Sequence, residues 1–345
     1  MKIHVFNPEH DLALAANLAN FTPPHAGRQL RADLGFIPAL WAGAGDVVLV
    51  LDPDEAERKF RRVAKVPFGR FVTSTALSRL PLDGVDVWGW DDAVRAFLLR
   101  CGVSERLLPT SDQIADIRQL SHRLTAASLL PRLQGDGLVG EAAMVTSLDE
   151  LSQRLALAGR LVVKAPWSSS GRGVRFLDGA MNHSDEGWLR HVLLRQGGIM
   201  VEPHYPKVKD FGMEFTIDAE GCVSYLGLSL FHTSGSAYTG NIVATDEYKM
   251  ELISRYIPES LLLDIQQKLT SLLSPLFRGR YQGPFGVDMM VVAHPGREGF
   301  LLHPCVEINL RRTMGHVAIS LANHLPVLPR IMTIVTDNFS YKLKV

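Results

Sequence analysis

The chain has 345 residues, 46% of them hydrophobic and 21% charged, so it can bury the cores of two or three domains. Lysine plus arginine and aspartate plus glutamate number 36 each, and this zero net charge argues against broad nucleic-acid binding, which needs a basic surface. The three cysteines are far apart and form no CxxC pair, which indicates neither a zinc knuckle nor a disulfide framework.

Residues 3–6 form a short, mostly apolar run, which predicts a strand near the amino terminus. The amino terminus has no long apolar region, so a signal peptide is not expected. No apolar stretch reaches the roughly 20 residues of a membrane span. These features predict a cytoplasmic protein without a membrane partner.

The first third of the chain alternates strands with helices. The continuous apolar run at 47–51 favours a strand buried on both faces of a parallel sheet. The alternation predicts a small doubly wound α/β domain that ends near residue 110. Its predicted strands are 3–6, 47–51 and 85–88, and its predicted helices are 12–18, 26–41 and 91–99.

From residue 111 onward the pattern changes, and long strands dominate after residue 210. Strands that follow one another directly indicate α+β lobes with antiparallel sheets. The predicted helical segments are 111–133 and 260–277, and the predicted strands are 161–164, 173–177, 199–202, 211–217, 222–230, 284–292 and 299–309.

A lysine at the end of a strand precedes a loop of small residues, and both features suit phosphate binding. Lys164 supplies a positive charge, and small residues let backbone N–H groups approach a polyphosphate. The loop has no GxxxxGK[ST] order, and an ordinary hairpin turn is the alternative interpretation. The loop residues singled out are Ser169, Ser170, Gly171 and Gly173.

Two strands near the carboxyl terminus carry oxygen ligands at a spacing that suits a metal. Glu307 and Asn309 lie on one face of their strand because side chains alternate with period two. Asp288 joins them if its strand forms a hairpin that turns near residues 295–296. Three such ligands suit Mg²⁺. Arg311 follows two residues after Asn309 and shares their face if the extended chain continues, where it would neutralise charge on a transferring phosphoryl group. The alternative is that both carboxylates line a solvated sheet face.

A third segment, residues 199–205, is an apolar strand that runs into a polar connector. Such a strand can place a nucleotide base against its backbone, and Glu214 in a later strand can reach ribose hydroxyls. A strand that ends in a surface turn is an equally good interpretation of this segment alone.

These three segments, in this order, resemble the ATP-grasp superfamily over about residues 111–320. Lys164 matches the lysine of the family's strand-KP-glycine-rich motif, although here proline is displaced by one position to Pro166. Glu202 matches the glutamate that opens the adenine hinge, and Glu214 matches the second glutamate, which contacts ribose. The resemblance therefore implies that Pro203, His204 and Tyr205 lie beside the base.

The metal strands match the same family. Asp288, Glu307 and Asn309 correspond to its metal ligands, and Arg311 to the arginine of its ExNxR variant. One departure is that the usual second phosphate-binding lysine is absent, so Arg123 would have to replace it with different geometry. Another is a long connector between the two hinge glutamates.

The resemblance implies an ATP-grasp fold with a Rossmann-like pre-ATP-grasp domain at residues 1–110. It further implies a small lobe at 111–200 and a large lobe with the metal site at 201–345. The implied cofactors are ATP and Mg²⁺ or Mn²⁺.

Two polar segments are candidates for substrate binding. Residues 7–11 follow the first strand, at the end of an open α/β sheet where ligands bind. A basic pair follows on one helix face, spaced to grip one anion. A helix N-cap at Asp11 and surface arginines are the alternative. A second segment, 232–241, reads as an active-site loop. The candidates are Glu9, His10, Arg28, Arg31, Tyr238 and Asn241.

The leading hypothesis is an ADP-forming ligase that activates a small-molecule carboxylate as an acyl phosphate for attack by an amine or a thiol. Lys164 and Arg311 would be its catalytic cations. An ATP-grasp kinase and a non-catalytic nucleotide-binding protein are the alternatives. The expected partners are small-molecule carboxylate and amine substrates and no nucleic acid, with a homodimer left open.

Overall fold

The computed structural model describes residues 1–168, 173–234, 237–296, 298–338 and 340–345. The helices in these residues are α1 (His10–Ala16), α2 (His25–Leu34), α3 (Pro53–Val63), α4 (Asp92–Arg100), α5 (Ser111–Leu120), α6 (Arg123–Leu129), α7 (Leu148–Ala158), α8 (His183–Gln196), α9 (Asp246–Ile253), α10 (Glu259–Phe277) and α11 (Met314–Ala322).

The strands of the same described ranges are β1 (Lys2–Val5), β2 (Val47–Leu49), β3 (Arg70–Val72), β4 (Gly84–Val87), β5 (Ala143–Val145), β6 (Arg160–Lys164), β7 (Val174–Asp178), β8 (Ile199–Pro203), β9 (Lys207–Ile217), β10 (Val223–Ser229), β11 (Phe231–Ser234), β12 (Ala237–Val243), β13 (Gly283–Ala293), β14 (Phe300–Asn309), β15 (Arg330–Asp337) and β16 (Ser340–Lys344).

The first sheet is parallel, with the strand order β3-β2-β1-β4. Ile3 of β1 pairs with Val47 of β2 and with Val85 of β4, so β1 lies in the interior of the sheet. Apolar clusters cover both faces, one formed with α4 and the other with α2 and α3. The predicted Rossmann-like domain is therefore confirmed.

One helix of this domain is shorter than predicted. The sequence pattern predicts a helix over 26–41, but α2 ends at Leu34 and residues 37–40 form a separate 3-10 turn. Pro38 lies in that turn. Proline lacks the N–H that a continuing helix needs and clashes with the preceding turn, so the break follows from its chemistry.

The second sheet is antiparallel, with the order β5-β8-β6-β7. Lys164, at the end of β6, lies between Val174 of β7 and Met200 of β8. Helices α7 and α8 pack their apolar residues against one face of this sheet. The three strands predicted in this region are confirmed.

The third sheet is also antiparallel, in the order β10-β9-β13-β14, and it carries the largest core of the described chain. Phe215 and Phe285 stack at 5.3 Å between ring centroids, and the apolar side of α10 packs against them. Helices α5 and α6 join the same core. The sequence pattern predicts one helix over 111–133, but the structure has two helices, α5 and α6, which are separated at His122, the N-cap of α6.

The fourth sheet, in the order β11-β12-β15-β16, is not among the elements that the sequence predicts. Residues 232–241, predicted as a loop, instead contribute to the strands β11 and β12, outside positions 235 and 236, which the structure does not describe. Val317 of α11 packs in a cluster with Val48 of the first sheet, which joins the two ends of the chain.

No helix in the described residues is both long and apolar enough to cross a lipid bilayer. The strands of the first sheet end at Val87, and those of the second sheet lie between Ala143 and Pro203. The domain limits at about residues 110 and 200 stay a prediction.

Candidate active site

One face of the third sheet is polar, and it carries the predicted metal ligands. Asp288 of β13 lies directly opposite Glu307 of β14, and Asn309 lies opposite Gly286. This register confirms the predicted hairpin. Glu214 of β9 also pairs with Gly286 and so lies on the same face. The pleat therefore gathers three carboxylates and one amide on adjacent strands.

One glycine lets these acidic side chains converge. A Cβ atom at Gly286 would lie 2.6 Å from Oε2 of Glu214, so any other residue at position 286 would displace Glu214. Glycine is needed there for this close approach.

The electrostatics of this face favour a bound cation. Burial, and then the carboxylates of Glu307 and Glu214, raise the pKa of Asp288 to about 7. Asn309 donates a 3.1 Å hydrogen bond from Nδ2 to Oδ2 of Asp288, which opposes the rise. A divalent cation bound here would attract each carboxylate and so offset the repulsion among them.

The donor set fits Mg²⁺ or Mn²⁺, because both prefer oxygen ligands. In the described part of the chain no three His, Cys, Asp or Glu side chains are arranged around a metal position. The fit therefore depends on Asp288 and Glu307 together with the Asn309 amide, and on oxygen atoms that phosphates or water supply.

Arg123, the predicted substitute for the missing lysine, lies between the metal face and the start of the phosphate loop. Its Nη1 is 2.7 Å from Oε2 of Glu307, and its Nη2 donates to the Ser168 hydroxyl at 3.1 Å. Its Nε donates to the Ala165 carbonyl at 3.1 Å. The guanidinium is thus buried and held by two groups of the loop and by one carboxylate of β14.

Lys164 is buried beside the predicted hinge glutamate. Its Nζ lies 2.6 Å from Oε2 of Glu202, and both side chains are 8% exposed. The two residues come from neighbouring strands, β6 and β8. Glu202 thus supplies a counter-charge for this buried cation.

His303 of β14, which the sequence analysis does not single out, lies near the same ion pair. It is 1% exposed, neither ring nitrogen has a hydrogen-bond partner, and the Tyr205 ring lies 5.7 Å away, edge to face. Burial lowers the pKa of His303 to about 4, so the imidazole is neutral at physiological pH. A histidine inside an otherwise apolar strand is the signal that could have identified it.

The remaining predicted base-site and loop residues are placed only in part. Ser169, Ser170 and Gly171 lie outside the described residues. A Cβ atom at Gly173 would collide with Ser168, so glycine is required there. Pro203 ends β8, and the His204 ring meets Phe176 edge to face at 5.8 Å.

Glu214 is buried against the amino terminus of α11. Thr313, the N-cap of that helix, donates its hydroxyl to Oε1 of Glu214 at 2.7 Å. Nδ1 of His316 lies 3.0 Å from Oε2. A carboxylate at a helix amino terminus is stabilised by the exposed N–H groups and the helix dipole. Glu214 thus has a structural partner in addition to its predicted ribose contact.

Arg311 joins the first domain to the metal face. Its Nε and Nη2 donate to the two carboxylate oxygens of Asp11 at 2.8 and 2.9 Å. Nη2 also donates to Oδ1 of Asn309 at 3.0 Å. The sequence suggests Asp11 only as an N-cap, but Glu9 holds the N-cap position of α1. The bidentate pair makes Asp11 a site residue that sequence reasoning missed.

A small cavity lies where these groups meet. Its volume is about 20 Å³, which suits one water molecule or ion. It is bounded by the first domain, the phosphate loop and the metal strand. Its polar or aromatic lining residues are Asp11, Ser121, Trp167, Ser168, Glu307 and Asn309. Trp167, covered by the Arg118 guanidinium at 3.8 Å, is the aromatic wall.

The predicted substrate residues of the first domain do not line this cavity. Arg31 forms an ion pair with Glu9, whereas Nη1 of Arg28 donates to the Pro23 carbonyl at 2.6 Å. The two arginines therefore have separate partners and do not hold a common anion here. Nδ1 of His10 lies 3.3 Å from Oδ2 of Asp91, and both residues are buried.

The two candidates of β12 form one hydrogen-bonded chain. The Tyr238 hydroxyl donates to Oδ1 of Asn241 at 2.6 Å, and Nδ2 of Asn241 donates to the Ser229 hydroxyl at 2.9 Å. Asn241 is completely buried. A Cβ atom at Gly315 would collide with both Ser229 and Glu214, so this chain reaches the α11 end of the site.

No protein-family model and no curated protein matches the chain in sequence. Solved structures do match it. Staphylococcus aureus N5-carboxyaminoimidazole synthetase, in complex with ADP, has 14% sequence identity and a TM-score of 0.50, over 97% of this chain and 82% of that one.

Biotin carboxylase from Campylobacter jejuni, in complex with an ATP form, has 13% identity and a TM-score of 0.52, over 99% of this chain and 73% of that one. Both enzymes belong to the ATP-grasp superfamily. At this level of identity the likeness is one of fold, and it spans both ends of the chain. The chain thus has the ATP-grasp fold, with a Rossmann-like domain at its amino terminus, as the resemblance in sequence implies.

Proposed function

We propose that this protein is an ADP-forming ligase that binds MgATP between its second and third sheets and activates a small-molecule carboxylate. One observation carries the proposal: Asp288, Glu307 and Asn309 share one face of the third sheet, and Arg123 links Glu307 to the start of the phosphate loop. The buried cation Lys164 ends the strand that leads into that loop. This is the charge arrangement that a metal-bound triphosphate needs. The fold is that of enzymes solved with ADP or ATP.

In this proposal a substrate carboxylate oxygen forms a bond to the γ-phosphorus of ATP while the bond from that phosphorus to the β-γ bridging oxygen breaks. The products are ADP and an acyl phosphate. An amine then attacks the acyl carbon, phosphate leaves, and the amine loses a proton. Mg²⁺ or Mn²⁺ held by Asp288, Glu307 and Asn309 would neutralise phosphate charge.

The chain itself supplies positioning and charge. Lys164 and Arg123 would hold phosphate oxygens. Arg311, oriented by its ion pair with Asp11, would stabilise negative charge beside the metal face. Trp167 and Asp11 would exclude bulk water from the small cavity. No protein nucleophile is required. The hinge residues 202–205 would hold the base, with Glu214 near the ribose.

The test is ADP release over a panel of amino acids and dipeptides, each paired with several amines and measured with and without hydroxylamine. We expect ADP release to depend on a carboxylate substrate, and hydroxylamine to trap the acyl phosphate as a hydroxamate. Glu259→Gln, at an exposed position at the start of α10, is the matched control for the metal-site variants Asp288→Asn and Glu307→Gln, and it should release ADP like the parent.

Two outcomes would replace the proposal. A stable phosphorylated hydroxyl compound, formed without hydroxamate, would make the protein an ATP-grasp kinase. ATP binding without ADP release for any substrate would make it a non-catalytic nucleotide-binding protein.

A further inference from the structure

A second cavity lies in the first domain, between α1, α4 and the segment that leads into α2. Its volume is about 270 Å³, which is large enough for a small organic molecule. Its charged lining residues are Glu9, Arg31, Asp91 and Arg100, and the ion-paired Glu9 and Arg31 form its polar end. The rest of the lining includes the apolar side chains of Ala13 and Phe97.

Helix α1 separates this cavity from the reaction cavity. Asp11 and Leu14 line the reaction cavity, whereas Glu9 and Ala13 line the second one. At 3.6 residues per turn, these two pairs point to different sides of the helix. A molecule in the second cavity would therefore not occupy the position of the reacting groups.

The polar end of the cavity has unsatisfied hydrogen-bonding capacity. Glu9 is 6% exposed and pairs with Arg31 through Oε1, but its Oε2 is buried without a partner. Nε of Arg31 is likewise buried without a partner. Buried polar atoms are nearly always hydrogen-bonded. One acceptor and one donor of the same ion pair are therefore available to a ligand.

The other charged groups at the cavity define what that ligand carries. Both carboxylate oxygens of Asp91 are already used, by the Val94 N–H and by the side chains of Asn7 and His10. Arg100 forms no ion pair with any described residue of the chain. The available groups are thus an acceptor on Glu9 and donors on Arg31 and Arg100.

We propose that this cavity binds a small zwitterion, of the class of free α-amino acids with an aliphatic side chain. The ammonium group donates to Oε2 of Glu9, and the carboxylate accepts from Nε of Arg31 and from Arg100. The side chain packs against the apolar wall around Ala13 and Phe97. The inference goes beyond the proposed function and does not depend on it, because binding needs neither ATP nor turnover.

The experiment is calorimetric titration of the full-length protein, without nucleotide, with three related probes. L-Leucine carries both charges, isopentylamine lacks the carboxylate, and 4-methylpentanoate lacks the ammonium group. We expect L-leucine to bind at least about tenfold more tightly than either fragment, since each fragment loses one charge-assisted contact. No binding of L-leucine, or equal binding of a fragment, would overturn the proposal.

Variants locate the site. Glu9→Gln and Arg100→Ala should each weaken L-leucine binding about tenfold or more. Arg58→Ala, an exposed arginine on α3, is the control and should bind like the parent. Asp288→Asn should also leave L-leucine affinity unchanged, because it alters only the reaction site. Loss of binding in Asp288→Asn, or unchanged binding in Arg100→Ala, contradicts a separate site. Arg100 lies on the surface, so its variant tests the proposal even if Glu9→Gln fails to fold.

Discussion

At the scale of single residues, Lys164 has both a structural and a proposed functional role. Lys164→Ala leaves Glu202 buried without a counter-charge, and breaking such a pair costs about 3–5 kcal/mol. It also removes one charge-assisted phosphate contact, so we expect ATP binding to weaken by about 1.5–3 kcal/mol. Urea unfolding and calorimetric ATP titration measure the two effects separately.

The double variant Lys164→Ala/Glu202→Gln distinguishes these roles. Removing the orphaned carboxylate charge should restore most of the lost stability, because the buried charge is gone. It should not restore ATP affinity, because no cation is returned to the phosphate site. Recovery of both quantities would mean that Lys164 acts on ATP only through folding.

Asp288 and Glu307 allow a second test on single residues. Each of Asp288→Asn and Glu307→Gln keeps the side-chain shape and removes one metal-binding charge, so we expect metal-dependent turnover to be lost while the fold survives. Asp288→Asn should even stabilise the metal-free protein slightly, since it removes like-charge repulsion from Glu307. Turnover at the parent rate in both variants would refute the metal assignment.

At the scale of elements, α11 has an N-cap that also contacts the site. Thr313 caps this helix and donates to Glu214, whereas Thr245 caps α9 through the Tyr248 N–H, on a different helix. Thr313→Ala and Thr245→Ala should each lose about 0.5–2 kcal/mol of unfolding free energy. Only Thr313→Ala should weaken nucleotide binding, because only it releases Glu214. Equal ATP affinity in the two variants would show that Thr313 caps the helix and has no role in nucleotide binding.

Most elements of the site could be predicted from the sequence because each has a strong local pattern. The strands β13 and β14 are largely apolar and carry one carboxylate each, Asp288 and Glu307, whereas β6 is an apolar run that ends in Lys164. The period of two in β14 is enough to place Glu307 and Asn309 on one face. The strand β15 is also rich in apolar and β-branched residues over 331–335, although no strand is predicted there from the sequence.

Other features could not be predicted, because their causes are long-range. His122 interrupts α5 and α6 by accepting a hydrogen bond from Leu124, and propensity over 111–133 gives no hint of that break. Asp11 and Arg311 are 300 residues apart in sequence, so only the packed domains bring them together. A local pattern likewise could not show that Glu9 would take Arg31 as its partner.

At the scale of the whole molecule, Asp86 ties the first sheet to the end of the metal strand. Burial would raise its pKa, but Arg312 at 2.8 Å and His4 at 2.9 Å lower it to about 2. A lowered pKa stabilises the fold at pH values above the unfolded pKa, 3.8, and the effect is lost as pH falls through about 2. Asp86→Asn should therefore cost about 2 kcal/mol at pH 7 and much less near pH 2. Denaturant titrations at both pH values test this, and a cost independent of pH would assign the loss to packing.

The Asp11–Arg311 pair is the direct connection between the first domain and the metal face. Asp11→Asn keeps the hydrogen-bonding shape but removes the charge that holds Arg311. ATP contacts are proposed to come from other elements, so we expect ATP affinity to change by less than about twofold. The carboxylate-dependent step should fall about tenfold or more, because Arg311 loses its orientation beside the metal face. The control is Asp116→Asn, which breaks a comparable bond from α5 to Arg280, away from the reaction cavity. If Asp11→Asn weakened ATP binding as much as turnover, the first domain would serve the nucleotide site; if it changed neither, Arg311 would act without the first domain.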